Sequence, residues 1–212
     1  MKVPELQNYI EGLIPQRSVL FQEMEEYARL EGVPIMEPAG IEAMLQILRI
    51  QQPSAILEVG TAIGYSALRM AEALPKTKII SIEKDEDRHA LAVNYIEKAG
   101  RPSQITLIKG DALETGEEVA GHGPFETIFI DAAKGQYKRF FEIYSRLLSS
   151  TGIIITDNVL FKGLVYEPVI ENRRLRSLAK KIDEFNHWLA SHPEFDTVIL
   201  PVGDGVAISK KR

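Results

Sequence analysis

The sequence predicts an α/β fold: a doubly wound, mostly parallel sheet of seven strands, one of them antiparallel, with helices on both faces. Three observations carry this. From residue 53 onward, short continuous apolar runs alternate with stretches of helical period, which is how strands buried on both faces by crossover helices read. Near the C-terminus, Gly203-Asp204-Gly205 sits between two alternating runs, which reads as a hairpin reversing one strand. Finally, all five parallel runs end in or beside an acid, and ligands of such sheets bind beyond the carboxyl ends of the strands.

The elements follow in order. The first fifty residues read as helices, with apolar spacing at Leu20, Met24, Tyr27 and Ala28 up to Gly32, then Ile41, Leu45 and Leu48 up to Pro53. Next come the strand "AILEVG", the helix "YSALRMAEAL", the strand "KIISIE" and the helix "DRHALAVNYIEKAG". The strands "ITLIKGD" and "TIFIDA" precede a helix over "YKRFFEIYSRLLSS" and the strand "GIIITDN". A long basic helix then leads into the hairpin "FDTVILPVGDGVAISKK".

The chain of 212 residues suits one sizeable core, and no apolar run approaches the ~20 residues that span a bilayer. The N-terminus lacks the apolar stretch of a signal peptide, and there is no cysteine, which excludes disulfides, thiolate metal sites and a cysteine nucleophile. A cytoplasmic location is expected. The net charge of −5 argues against a basic nucleic-acid coat, but the charge is uneven: Lys162 to Lys181 holds six basic and two acidic residues. That run reads either as a solvated helix face or as a local phosphate-binding patch.

The strand tips carry the chemistry. "LEVGTAIGYS" gives Gly60 and Gly64 but not the three glycines of a dinucleotide fingerprint, and Glu58 inside it disfavours a polyanion. Glu83 is placed to accept hydrogen bonds from ribose hydroxyls, or to cap the helix that follows. Asp111 and Ala112 end the third strand, where a carboxylate can take an adenine amino proton. These positions fit an adenosine with no phosphate chain and a positive centre; S-adenosylmethionine is such a ligand.

Together "EVGTAIGYSAL", "IEKD", "GDAL", "FIDAAKGQY" and "ITDNVLFKG" resemble the cation-dependent, catechol and caffeoyl-CoA-type O-methyltransferase family, over roughly residues 35 to 212. More narrowly, "VPIMEPAG", "DNVLFKGLV", "KIDEFNHWL" and "PVGDGVAISKK" are similar to the bacterial branch that converts 5-hydroxyuridine to 5-methoxyuridine at the wobble base of transfer RNA. The resemblance implies a single class I methyltransferase domain over 1–212, with a helical extension at 1–52 and a Rossmann-like core at 53–212. It implies a cofactor site of Met36, Glu58, Gly60, Ser66, Glu83, Asp111, Ala112 and Asp131, with Met36 and Ser66 entering by family position alone.

Asp131, Asp157 and Asn158 offer three oxygen donors, a set suited to Mg²⁺, with Mn²⁺ as an alternative. An isolated Asp-Asn pair is more often a turn or a cap; the second strand-end Asp and the family likeness argue for the metal. Lys134 matches the family's lysine near the acceptor hydroxyl, and a lysine beside a divalent cation loses its proton more readily, which suits a general base. Asp131 and Lys134 are thus the expected catalytic pair. Lys162, Arg173, Arg174 and Arg176 would hold phosphates of a transfer RNA anticodon loop, and Tyr137 or Phe161 would either stack on a base or pack in the core.

A small catechol or caffeoyl-CoA-like acceptor is the alternative, favoured by the net acidity. A nicotinamide-dependent oxidoreductase or a nucleotide-binding module is disfavoured by the missing glycine. The four histidines take no part. Tyr9, Ile10, Leu13 and Ile14 are an expected homodimer surface.

Overall fold

The computed structural model describes residues 3–212. Three helices come first: α1 (Val3–Gly12), α2 (Val19–Glu31) and α3 (Pro38–Gln51). The alternation then runs β1 (Ala55–Val59), α4 (Tyr65–Ala73), β2 (Lys78–Glu83), α5 (Glu86–Lys98), β3 (Ile105–Lys109), α6 (Gly116–Ala120), β4 (Phe125–Ile130), α7 (Tyr137–Tyr144) and β5 (Leu148–Thr156). Helix α8 (Arg173–Ala190) and the hairpin of β6 (Phe195–Leu200) and β7 (Val206–Lys211) close the chain. The seven strands form one sheet in the order β3-β2-β1-β4-β5-β7-β6. The first five are parallel, and β7 runs antiparallel to both β5 and β6. Among the described residues no helix is long and apolar enough to cross a membrane.

Side-chain alternation along the strands divides the core in two. Ile56, Phe129, Ile153 and Ile155 face Met24, Leu45, Leu68 and Ile96 from α2 to α5. Leu57, Val59, Ile128, Ile130 and Ile154 face Phe141, Tyr144, Phe185 and Leu189 from α7 and α8. Both faces of the central strands are therefore dry, which is why their sequences read as unbroken apolar runs.

The helix boundaries have local causes. Gly32 ends α2 in the left-handed conformation (φ 65°), and Pro38 opens α3 at a position where a missing N–H costs nothing. Asp85 caps α5 by accepting from the Arg88 N–H at 3.0 Å, and Asn172 caps α8 by accepting from Arg174 and Leu175. Two expectations need correction. The helix expected through Ser150 stops at Tyr144, passes through a 3-10 turn and becomes β5 at Leu148, where Leu148 pairs with Phe125. Apolar residues at Leu147 and Leu148 satisfy either period, and the neighbouring strand decides between them. The short α6 was not expected; five residues carry too little periodicity to read.

In α1 and just after it, Tyr9, Ile10 and Leu13 are exposed, while Ile14 is partly covered.

Candidate active site

The strand order changes direction between β1 and β4, and the crevice there opens at the carboxyl ends of the parallel strands. A cavity of about 310 Å³ fills it. Its wall takes Gly60, Thr61 and Ala62 after β1, Glu83 and Lys84 at β2, and Gly110 to Ala112 after β3. Asp131 to Lys134 after β4 and Asn158 after β5 complete it, with Pro34, Ile35 and Met36 as a flank. Of the residues singled out in the sequence, Met36, Gly60, Ser66, Glu83, Asp111, Ala112, Asp131, Lys134 and Asn158 all line this one cavity.

Glu58 does not. It lies on the same side of β1 as Ile56, fully buried under the first turn of α4, where it accepts hydrogen bonds from Ser66 and Ser81. Burial pushes its carboxyl up to about 7, against the pull of those two hydroxyls. Thr61 Oγ1 and Ser81 Oγ, 2.5 Å apart, extend this network beneath the glycine turn. Glu58 therefore supports the floor of the cavity instead of facing it. Alternation already placed it there: the residue between Leu57 and Val59 must point to the opposite face from both.

Gly60 has φ 103°, and a Cβ there would overlap the Asp131 carbonyl oxygen and lie 2.8 Å from its carbonyl carbon. The tips of β1 and β4 thus touch backbone to backbone, and only glycine allows the approach. Glu83 is oriented by two backbone donors, Ala62 N–H at 2.8 Å and Asp85 N–H at 2.9 Å. Capping falls to Asp85, which leaves the Glu83 carboxylate at the cavity wall, where a pair of hydroxyls can reach it. Asp111 accepts from Leu113 N–H at 2.9 Å, with Lys84 Nζ 4.0 Å from its other oxygen. Ala62 adopts φ 47° to present its N–H to Glu83, a contact the sequence did not signal.

At the other end, Asp157 is 2% exposed directly behind Asn158, whose Nδ2 donates to Asp157 Oδ2 at 3.0 Å. Lys134 Nζ donates to Asn158 Oδ1. Burial raises the Asp131 carboxyl to about 6, with Lys134 pulling it down and Asp204 pushing it up. Burial and then repulsion from Asp131 hold Asp157 well above the usual carboxylate range. Among the described residues no group of three or more His, Cys, Asp or Glu side chains is arranged to hold a metal ion; the set here is two carboxylates and one carboxamide. Its oxygens nevertheless fit a hard divalent cation. Two desolvated carboxylates repel each other, and the positive group already lodged on Asn158 Oδ1, the Lys134 ammonium, relieves both.

Tyr137 is 1% exposed, its ring against Phe185 and its hydroxyl donating to the Asp157 carbonyl at 2.9 Å, so it is a core residue and not a base-stacking platform. Phe161 is half-buried with φ 48°. Arg173 and Arg174 line a shallow surface depression with Ser177, Leu178 and Lys181; Arg176 and Lys162 are exposed outside it. A Cβ on Gly135 would lie 3.9 Å from Lys181 Nζ, so this depression borders the turn that carries Lys134. Two residues were missed in the sequence. Lys181 counted only within the basic run, and Asp204 only as a turn residue; nothing local marks either.

A family model described as O-methyltransferase matches residues 16–212. A catechol O-methyltransferase of Niastella koreensis is 36% identical over 208 residues, 87% of this chain and 90% of that one. A caffeoyl-CoA O-methyltransferase of Populus kitakamiensis is 31% identical over 193 residues, 88% of this chain and 82% of its own. Among solved structures, a Podospora anserina methyltransferase with S-adenosylhomocysteine bound superposes with a TM-score of 0.86 at 27% identity, covering 99% of this chain and 94% of that one.

Proposed function

The chain belongs to the O-methyltransferase family, and on that premise we propose that it transfers the methyl group of S-adenosylmethionine to a hydroxyl of an acceptor bearing two adjacent oxygens. One observation carries this reading: a single cavity has Glu83 and Asp111 at one end and Asp131, Lys134 and Asn158 at the other. Glu83 takes the ribose hydroxyls, Asp111 and Ala112 the adenine, and Met36, Gly60 and Ser66 close around the rest of the cofactor. Asp131, at the acceptor end, touches the glycine turn of the cofactor end through its backbone at Gly60. Bound S-adenosylmethionine would supply its methyl group to the acceptor oxygen and leave as a neutral thioether, while Lys134 Nζ, once it has given up its own proton, would take the hydroxyl proton. Asp131, Asp157 and Asn158 would hold Mg²⁺ or Mn²⁺, whose charge beside the acceptor's two oxygens favours loss of that proton.

The named relatives support a small catechol-type acceptor. A second reading, 5-hydroxyuridine at the wobble position of transfer RNA, is favoured by the cationic depression of Arg173, Arg174 and Lys181 beside the Lys134 turn. In that base the ring carbonyl and the 5-hydroxyl are adjacent oxygens too, and an anticodon loop presents its base splayed from the stack, as proteins that read single-stranded RNA require. Methyl transfer from labelled S-adenosylmethionine to a catechol and, separately, to transfer RNA bearing 5-hydroxyuridine, each with EDTA and with Mg²⁺ restored, tests both. Activity on RNA that falls steeply with salt, and falls further in R173E/R174E while catechol turnover holds, selects the second reading. Turnover on neither acceptor, or full turnover in EDTA, overturns the scheme.

A further inference from the structure

The loop that follows β5 is costly backbone. Asn158, Phe161 and Lys162 have φ of 58°, 48° and 53°, a region that L side chains other than Asn and Asp rarely enter. Something outside the loop must hold it. The β6–β7 turn does: Val159 N–H donates to the Gly205 carbonyl at 3.0 Å and Leu160 N–H to the Asp204 carbonyl at 3.0 Å. The third bond comes from a side chain, with Lys162 N–H donating to Asp204 Oδ1. The turn is pressed against the loop, since a Cβ on Gly205 would sit 2.8 Å from Leu160 N. Asp204 itself is 8% exposed.

We propose that Asp204 is a positioning residue for the acceptor side of the site: by holding the Lys162 amide it fixes the left-handed loop and thereby the place of Asn158, on which Lys134 rests. This stands on the reading of Asn158 and Lys134 as acceptor-side groups. The same turn reaches the cofactor side. A Cβ on Gly203 would lie 3.2 Å from Gly40 Cα, and one on Gly40 would lie 3.3 Å from Met36 Cε, so the turn is wedged between the start of α3 and the loop after β5. Position and charge are separable here, because an asparagine keeps the Oδ1 acceptor and removes the negative charge near Asp131 and Asp157.

The test compares D204A and D204N by hydrogen–deuterium exchange of the peptide covering Asn158 to Gly163, by kcat and KM on the active acceptor, and by S-adenosylhomocysteine affinity. In D204A the loop amides should exchange at least about tenfold faster, as expected for a locally opened segment. Its kcat should fall about tenfold to a hundredfold, the loss that follows from a misplaced reacting group. Cofactor affinity should stay within about twofold, and D204N should restore both protection and most of the turnover. Unchanged exchange in D204A overturns the proposal, as does a D204N variant as impaired as D204A, which would assign the role to charge. Equal losses in cofactor affinity and melting temperature would reduce Asp204 to general structure and overturn it as well. If the wild-type protein methylates neither acceptor, the functional reading fails, and the exchange comparison alone decides whether Asp204 holds the loop.

Discussion

Lys134 Nζ donates to Asn158 Oδ1, and this bond joins the turn after β4 to the tip of β5 in the wall of the cavity. It places the lysine of that turn beside the two buried carboxylates, on the wall of the cavity. Replacing Lys134 by Met should therefore lower kcat by about a hundredfold or more, the range for loss of a general base. Affinity for S-adenosylhomocysteine, read by calorimetry, should hardly change. Equal losses in turnover and cofactor affinity would place Lys134 in cofactor binding instead.

Glu83 is held by Ala62 N–H and Asp85 N–H, so its carboxylate is already oriented before any ligand arrives. Glu83→Ala should weaken cofactor binding by about 1.5–3 kcal/mol, the worth of charged hydrogen bonds. Calorimetry reads this directly, and unchanged affinity would remove the ribose assignment.

Gly60 cannot be replaced without moving the tip of β4, because its φ is 103° and Asp131 backbone fills the place of a Cβ. Gly60→Ala should cost about 2 kcal/mol or more in urea unfolding, from the strained φ and the overlap together. Cofactor affinity and turnover should fall with it, since Asp131 is displaced. Wild-type stability in the variant would mean the two tips part freely.

Glu58 gives the pH prediction. Its carboxyl is raised to about 7 by burial, so the folded protein holds this proton more tightly than the unfolded chain. The stabilisation is complete at pH below the ordinary glutamate range and is lost as pH rises toward 7. At about 1.4 kcal/mol for each tenfold change in proton affinity, the loss is on the order of 3 kcal/mol. Glu58→Gln should remove that slope, so that unfolding free energies of variant and wild type differ by a pH-dependent amount between about 4.5 and 7. A constant difference across that window would contradict a buried, protonated Glu58.

Periodicity alone determined the sheet. Residues such as Ile128 to Ile130 and Ile153 to Ile155 are apolar on both sides of the strand, which local sequence records because each strand is covered by helices on both faces. It also determined which residues stand at the tips, since a tip is simply where an apolar run meets Glu83, Asp111, Asp131 or Asp157. Tertiary structure decided what each tip does. Strand order set β1 beside β4 and β4 beside β5, bringing Gly60 against Asp131 and Lys134 against Asn158. Glu58 went under α4 because a strand turns successive side chains to opposite faces, and Tyr137 went into the core because α7 packs on α8. Asp204 and Lys181 became part of the site's surroundings only through contacts with residues more than forty positions away. A run of residues encodes its own period and its own end; its neighbours in space are fixed by how the strands are ordered, and that order is a property of the whole chain.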